Sequence, residues 1–272
     1  MTEAGVGNPV LSCILGRRSV RRFDGRMPDE QTQRVILEAA MRAPTAANMQ
    51  LYSILDIRDA GCKKTLAETC NHQKWIADAP LLYIFCADYQ RQYDYLAACG
   101  VEEKCAALGE PFLRPGEQSL LLASCDAMFA AQNAVLAAES LGLASCYVGH
   151  IMDHYETHAA LLHLPRYVFP VMMLAMGYPI KRPEHQAPRF DSAFIVHRDE
   201  YHRADAQALL RCYERNPEPP EGNRFGAENA GQYWYLKRNL HADCYREGIR
   251  SLRAALKNWD EPLAEPEEKT DR

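Results

Sequence analysis

The order of apolar and polar residues along the chain predicts helices and strands that follow no single repeating order. Apolar positions recur at helical spacing over about 119–141 and continue almost all round, which predicts a long buried helix. Alternation over 51–57, a continuous apolar run over 81–87 and a largely apolar stretch over 169–176 predict strands. Because these elements mix without a strict βαβ rhythm, we expect an α+β fold and not a doubly wound sheet.

Local signals predict the remaining elements. Asn8 as N-cap and Pro9 at the first helical position begin a first helix, which Gly16 in a left-handed conformation would end. The other predictions are a helix from about 28 to 43, a strand or turn over 144–151, a short helix over 153–162, a strand over 193–197 and a last helix with an apolar stripe of Leu236, Leu240, Cys244, Ile249, Leu252 and Leu256.

A change in composition divides the chain near residue 216. The run NPEPPEGNRFG begins at Asn216 and predicts a linker or arm, which separates a main domain at 1–215 from a C-terminal linker and helical extension at 216–272. We expect the tail to be disordered from about residue 262. Trp234 and Trp259 give the extension large apolar surfaces, which must pack on the body of the protein or on a partner subunit.

Composition restricts the class of protein. Of 272 residues, 47% are hydrophobic and 25% are charged, with a net charge of −5, so no broad nucleic-acid surface is expected. No secretory signal pattern and no apolar run of membrane-spanning length is evident, so we expect a cytoplasmic protein without a membrane partner. The ten cysteines form no C-x-x-C pair, and we expect reduced thiols. Cys86, Cys125 and Cys146 lie in apolar stretches and are interpreted as small hydrophobic residues.

The segment after the first helix is the strongest candidate for chemistry. If it runs extended, Arg17, Ser19 and Arg21 lie on one face, and Val20 and Arg22 lie on the other. Two guanidinium groups and a hydroxyl on one face suit a phosphate, because arginine binds oxyanions through paired hydrogen bonds. A solvated basic loop is the alternative reading of these residues.

Five separated stretches in one order resemble the FMN-dependent nitroreductase family, and the resemblance covers about 10–201. The stretches are RRSVRRF at 17–23, APTAANMQ at 43–50, HQKWIADAP at 72–80, DAMFAAQNAVLAAESLGLASCYVGH at 126–150 and MGYPIKRPEHQAPRF at 176–190. The resemblance implies a three-layer α-β-α sandwich with a central mixed sheet. It also implies an obligate homodimer with two FMN sites, each built from both chains.

The resemblance assigns roles to particular residues. Arg17 would face the FMN phosphate, Ser19 the phosphate or ribityl chain, and Arg21 the N1 and O2 edge, where a cation stabilises the negative charge of reduced flavin. The other cofactor-binding candidates are Arg18 from the same signature; Pro44, Thr45, Asn48 and Gln50 from the other chain; Gln73 at the pyrimidine or ribityl side; Tyr147, Val148, Gly149 and His150 close to the flavin; and Arg189 at the phosphate.

One position departs from the family pattern. The family frequently has a lysine two residues before the late phosphate-binding arginine, and this chain has Ala187 there, before Arg189. The departure predicts weaker FMN binding and not a different cofactor.

The implied function is an oxidoreductase that passes hydride from NADPH or NADH through flavin N5 to an electron-poor small molecule in a ping-pong cycle. The acceptor would be a nitroaromatic, a quinone, an enone or free flavin, and no catalytic side chain is required. Two alternatives stay open. The protein would bind flavin without catalysis or as a redox sensor, or it would bind metal through His150, His154 and His158, although no side chain clearly completes a metal site.

Overall fold

The computed structural model describes residues 7–213, 223–240 and 243–259. The elements are α1 Pro9–Gly16, α2 Glu30–Met41, β1 Tyr52–Asp56, α3 Ala60–Thr69, β2 Leu81–Asp88, α4 Gln90–Ala98, α5 Val101–Leu108, α6 Glu117–Ser140, β3 Ala144–Val148, α7 Tyr155–Leu161, β4 Val168–Gly177, α8 Ala206–Tyr213, α9 Ala230–Tyr235 and α10 Asp243–Leu256. The described residues cluster in two units, one within Met1–Arg182 and Glu247–Arg272 and the other within Pro183–Arg246. The predicted linker up to residue 222 and the predicted disordered tail lie outside the described residues.

The four strands form one sheet in the order β1-β2-β4-β3, and every neighbouring pair is antiparallel. The predicted mixed sheet is therefore wrong for the described strands. Helix α6 returns the chain along the sheet, so β2 and β3 run in the same direction; β4 then inserts between them. The α+β class is confirmed, whereas the strand order has no signal in the periodicity of any single strand.

Strand β2 is buried at every position, as its continuous apolar run predicts. Its residues alternate between two cores. Tyr83 and Phe85 belong to a cluster that includes residues of α2 and α6, whereas Leu82 and Ile84 belong to a cluster that includes residues of α3. Alternate burial on the two sides follows from the twofold period of a strand.

Helix α6 packs closely because its inner face is made of alanines. Ala123, Ala127, Ala130, Ala134 and Ala138 are all fully buried, and small side chains let the helix backbone approach the sheet. By length and apolar composition alone this helix is suited to cross a membrane, contrary to the sequence prediction. Its contacts with α2 and with all four strands make it a core helix of the first unit.

Three further local predictions are wrong. Gly16 does not have a positive φ; instead α1 ends there and Arg17 continues in an extended conformation with φ of −57°. The predicted strand at 193–197 is a short 3-10 turn over Ser192–Phe194, because the Asp191 side chain caps the Ala193 N–H. Cys125 is exposed, since it lies on the outer face of α6.

The predicted last helix is divided. Helix α9 continues into a π-helical segment at Leu236–Leu240, and α10 begins at Asp243. The buried face of α10 is not the predicted leucine stripe: Ile249 and Leu252 are exposed, while Ser251 and Ala255 are buried. Small residues are buried here because α10 lies very close to the chain beneath it.

Candidate functional site

The arginine-rich segment lies along the outer edge of β3. Ser19 forms an isolated parallel bridge with Ser145, and the Val20 N–H donates to the Ser145 carbonyl at 3.0 Å. Val20 is 3% exposed, whereas Ser19 and Arg21 face outward. The alternation therefore places the hydroxyl and a guanidinium on the solvent side of an extended segment.

The charges of this segment act on β3. Burial raises the pKa of the Cys146 thiol, and the nearby Arg21 and Arg17 oppose that rise. Burial also raises the pKa of Tyr147 to about 12, again opposed by Arg17. Both arginines thus lie close enough to β3 to influence its side chains, and neither Cys146 nor Tyr147 ionises near neutral pH. The arginines therefore place positive charge beside β3.

Arg21 also contacts the segment that follows α3. Its guanidinium carbon lies 5.8 Å from the centre of the Trp75 ring, within the range of a cation–π contact. Two residues earlier, the Gln73 side chain donates to the Cys70 carbonyl at 2.8 Å. Trp75, a residue to which the sequence reasoning gave no role, thus links Arg21 to the segment that contains Gln73.

Arg18 carries a buried polar atom that lacks a partner. Its Nε is inaccessible to solvent and forms no hydrogen bond within the described residues, and the same holds for Oγ of Ser145. A buried donor without an acceptor costs about 1–3 kcal/mol. An extended run of three arginines and a serine that leaves such a donor unsatisfied fits a phosphate-bearing ligand.

The turn that follows β3 continues this group of residues. Val148 is buried at the end of the strand, and Gly149 opens a 3-10 turn over Gly149–Met152. Tyr147 Oη donates to the Gln132 side chain at 3.2 Å, which ties β3 to α6. His150 Nδ1 lies 2.7 Å from a carboxylate oxygen of the largely buried Asp153.

The second group of candidates, Pro44, Thr45, Asn48 and Gln50, forms the loop between α2 and β1. This loop has unusual backbone: Ala47, Asn48 and Gln50 have φ values of 47°, 56° and 52°. A positive φ is energetically unfavourable for residues other than glycine, so other contacts must stabilise this conformation. The Asp126 carboxylate accepts from the Ala46 and Leu51 N–H groups at 3.0 and 3.1 Å, one at each side of the strained residues.

The two groups lie at diagonally opposite corners of the sheet. Ser145, beside Ser19, pairs with Met176 of β4, and Tyr52, beside the loop, is linked through Ala87 to Phe169. Seven residues of β4 and three strand spacings separate the corners, which corresponds to about 23 Å along the strands and about 14 Å across them. One chain therefore does not bring both groups to one FMN molecule.

Arg189 belongs to the second unit. It is exposed, and its guanidinium donates to the Ala187 carbonyl at 3.1 Å. This contact is local, and Ala187 contributes only its backbone to it. The role of Arg189 at a phosphate stays a prediction.

The three histidines of the metal alternative have separate partners. His154 Nδ1 lies 3.3 Å from Glu247, and the buried His158 contacts the Ile151 carbonyl and Thr69 Oγ1 at 2.8 Å each. Burial lowers the pKa of His158. Across the described ranges, no three His, Cys, Asp or Glu side chains are grouped so that they could hold a metal ion.

Asp126, like Trp75, is a residue of the site region that sequence reasoning missed. It belongs to the fourth resembling stretch, but it was interpreted as part of a buried helix. The available signal was a carboxylate in a helix that is apolar almost all round, because a buried charge needs specific partners.

Comparisons with known proteins identify relatives of this chain. A family model described as "Nitroreductase family" matches residues 14–178. The chain is 32% identical over 208 residues to an oxygen-insensitive NADPH nitroreductase of Salmonella typhimurium, which covers 76% of this chain and 81% of that protein. It is 32% identical over 199 residues to an FMN reductase [NAD(P)H] of Bacillus subtilis, covering 73% and 76%. The solved structure of B. megaterium NfrA1 has a TM-score of 0.72 at 26% identity, covering 93% and 99%.

Proposed function

The chain belongs to the nitroreductase family, and from that premise we propose that it is an FMN-dependent oxidoreductase that transfers hydride from NADPH or NADH to an electron-poor small molecule. The observation that carries the proposal is the extended segment from Arg17 to Arg21. It aligns guanidinium groups and a hydroxyl beside β3, next to the glycine turn. The names of the relatives, an NADPH nitroreductase and an FMN reductase, support the same cofactor and reductant.

The residues present fit FMN by their chemistry. Arg17, Arg18 and Ser19 would hold the phosphate, with Arg189 as a further cation, and Gln73 would face the pyrimidine or ribityl side. When bound, FMN supplies N5 as the atom that accepts and returns hydride. Arg21 would hold a positive charge at the N1 and O2 edge, where negative charge develops, and Trp75 beneath it would keep the guanidinium oriented.

A homodimer would complete the site. In a twofold dimer the loop of one chain would lie beside the arginine segment of the other chain. The two groups would then meet at one site, although they are far apart within a single chain. Pro44, Thr45, Asn48 and Gln50 would then line the flavin of the partner. An exposed apolar stripe of Leu121, Cys125 and Phe129 on α6 supports such an interface, and it leads to Gln132, which binds Tyr147.

The catalytic cycle we propose is ping-pong, with one slot used in turn by the nicotinamide and by the acceptor. The acceptors are nitroaromatics, quinones, enones or free flavin. The protein's own part is to hold the partners in line and to exclude water, so no side-chain nucleophile is needed. We also propose a three-layer arrangement around the sheet and a cytoplasmic enzyme that acts without nucleic acid or membrane.

The test is an absorption spectrum of the purified protein, followed by anaerobic addition of NADPH and then NADH to separate samples. We expect a flavin spectrum, FMN in the heat-denatured supernatant, and bleaching by at least one reductant. A flavin that neither reductant bleaches would indicate the flavin-binding alternative. If no FMN binds even after incubation with an excess, the proposed function is wrong.

A further inference from the structure

The loop that precedes β1 is held from two sides. From one side, the Asp126 carboxylate accepts from the N–H groups of Ala46 and Leu51. From the other, the Arg91 guanidinium donates to the carbonyls of Gln50 and Tyr52, the latter at 3.0 Å. The backbone from Ala46 to Tyr52 therefore has two donors bound to α6 and two acceptors bound to α4.

The position of the Asp126 carboxylate is energetically unfavourable unless hydrogen bonds stabilise it. Asp126 is 1% exposed, and burying a charge is unfavourable unless hydrogen bonds compensate it. Its two oxygens each accept from one of two backbone N–H groups five positions apart, whereas an amide in its place has an acceptor oxygen at only one of the two positions. Hydrogen bonds to a charged acceptor are about twice as strong as neutral ones. This arrangement therefore stabilises the left-handed conformations of Ala47, Asn48 and Gln50 against relaxation.

We propose that Asp126 is a positioning residue for the FMN site of the partner subunit. The inference rests on the proposed function, since it requires that Asn48 and Gln50 contact a flavin held by the other chain. Asp126 acts on the flavin only through the shape of the loop. Arg91 supports the same shape from the opposite side.

The first test is Asp126→Asn, which keeps the size of the side chain but offers one acceptor oxygen for two N–H groups. We expect FMN affinity to fall about tenfold or more, because one end of the loop is released. Hydrogen exchange should accelerate in the peptide that covers 43–52. Lys63→Gln is the matched control: Lys63 is buried and donates to the Ala79 and Pro80 carbonyls, so it should lower thermal stability while FMN affinity stays unchanged.

The second test separates action on the partner from action within one chain. A mixed dimer is purified through two affinity tags, one on each chain. One chain carries Asp126→Asn, and the other carries Arg17→Ala/Arg21→Ala. If Asp126 serves the partner's site, one of the two sites contains an intact loop and intact arginines, and about half the wild-type flavin content and reduction rate returns. If it serves its own chain's site, neither site is intact and nothing returns, which overturns the proposal.

Should Asp126→Asn fail to fold, Arg91→Met carries both tests, since the Arg91 side chain is more than half exposed and its loss does not open the core. Unchanged FMN affinity in the folded variant overturns the positioning role even if wild-type protein is an active flavoenzyme. Failure of wild-type protein to bind FMN is a different result, because it rejects the proposed function itself.

Discussion

Arg21 combines an exposed position with a fixed orientation. Its guanidinium lies over the Trp75 ring and close enough to β3 to oppose the rise in the pKa of Cys146, so the charge is held near both. The sequence motif was sufficient to identify Arg21. Its contact with Trp75 could be found only from the folded structure, because residues 21 and 75 are distant in sequence. A directed cation is what electrostatic stabilisation of a developing anion needs.

Arg21→Ala should reduce the rate of flavin reduction by NADPH or NADH by about a hundredfold, with a smaller loss of FMN affinity. The reason is that negative charge at the N1 edge increases on reduction, so the cation matters more to the reduced form. Anaerobic stopped-flow absorbance measures the rate, and fluorescence titration measures the affinity. Arg22→Ala is the control, because its side chain is exposed on the same segment. Equal losses in both variants would contradict the role of Arg21.

Arg17→Ala/Arg189→Ala should yield mostly colourless protein after purification. Each substitution removes one cation from the predicted phosphate site. Ala187 supplies no charge to compensate, because it stands where the family frequently has a lysine. The ratio of FMN to protein, obtained from absorption spectra, checks the expectation. A double variant that keeps its full flavin content would reject both phosphate assignments.

Helix α10 closes over the turn that carries His150. Ser251 Oγ donates to the Met152 carbonyl at 2.6 Å and accepts from the Tyr155 N–H at 2.8 Å. A Cβ on Gly248 would lie 2.9 Å from Asp153, which explains why small residues, not leucines, form the inner face. Periodicity located this helix, but it selected the wrong face because it scores hydrophobicity and not the closeness of approach.

Arg250, on the outer side of α10, forms hydrogen bonds with α7 and with its own helix. It donates to Glu156 at 2.7 and 2.8 Å and to Glu247 at 2.7 and 2.8 Å. These hydrogen bonds lower the pKa of Glu156 from 4.5 to about 2 and lower that of Glu247 as well. A lowered carboxylate pKa stabilises the folded state above the unfolded-state value, and this contribution is lost as pH falls from about 4.5 towards 2.

Arg250→Gln should therefore lower the thermal unfolding midpoint at pH 7, and the difference from wild type should shrink as pH falls through that window. The difference at pH 7 will be small, because the side chains of Arg250 and Glu156 are 51% and 57% exposed. Differential scanning fluorimetry from pH 7 to pH 3 measures it. Arg253→Gln, on an exposed position of the same helix, should show no such pH dependence. A constant difference at every pH would mean that the ion pairs do not contribute.

At the scale of the whole molecule, the sequence supplied the family, the α+β class and two sets of candidate residues, but not their separation. The antiparallel strand order places Ser19 and the loop before Tyr52 at opposite corners, because β4 lies between β2 and β3. The periodicity of residues within one strand does not indicate which other strand lies beside it in the sheet. The motif-based expectation that the loop serves another chain thus acquires a geometric reason, since the loop and the arginine segment of one chain are too far apart for one ligand.

The apolar stripe on α6 gives this separation a direct test. Phe129 is 49% exposed and Leu121 is 68% exposed, with Cys125 between them at the four-residue spacing that aligns side chains on a helix. Phe129→Glu places a carboxylate in the centre of the proposed interface, where its desolvation should weaken dimerisation about thirtyfold or more.

We expect Phe129→Glu to sediment as a monomer and to lose FMN together with the dimer, although none of the proposed flavin contacts is altered. Loss of both properties follows only if each site needs two chains. Leu108→Glu is the control, since Leu108 is also an exposed apolar residue, at 65%, but belongs to α5 and not to the stripe; it should remain a flavinated dimer. A folded Phe129→Glu monomer with full FMN content would show that one chain is sufficient, and the two corners would then have unrelated roles.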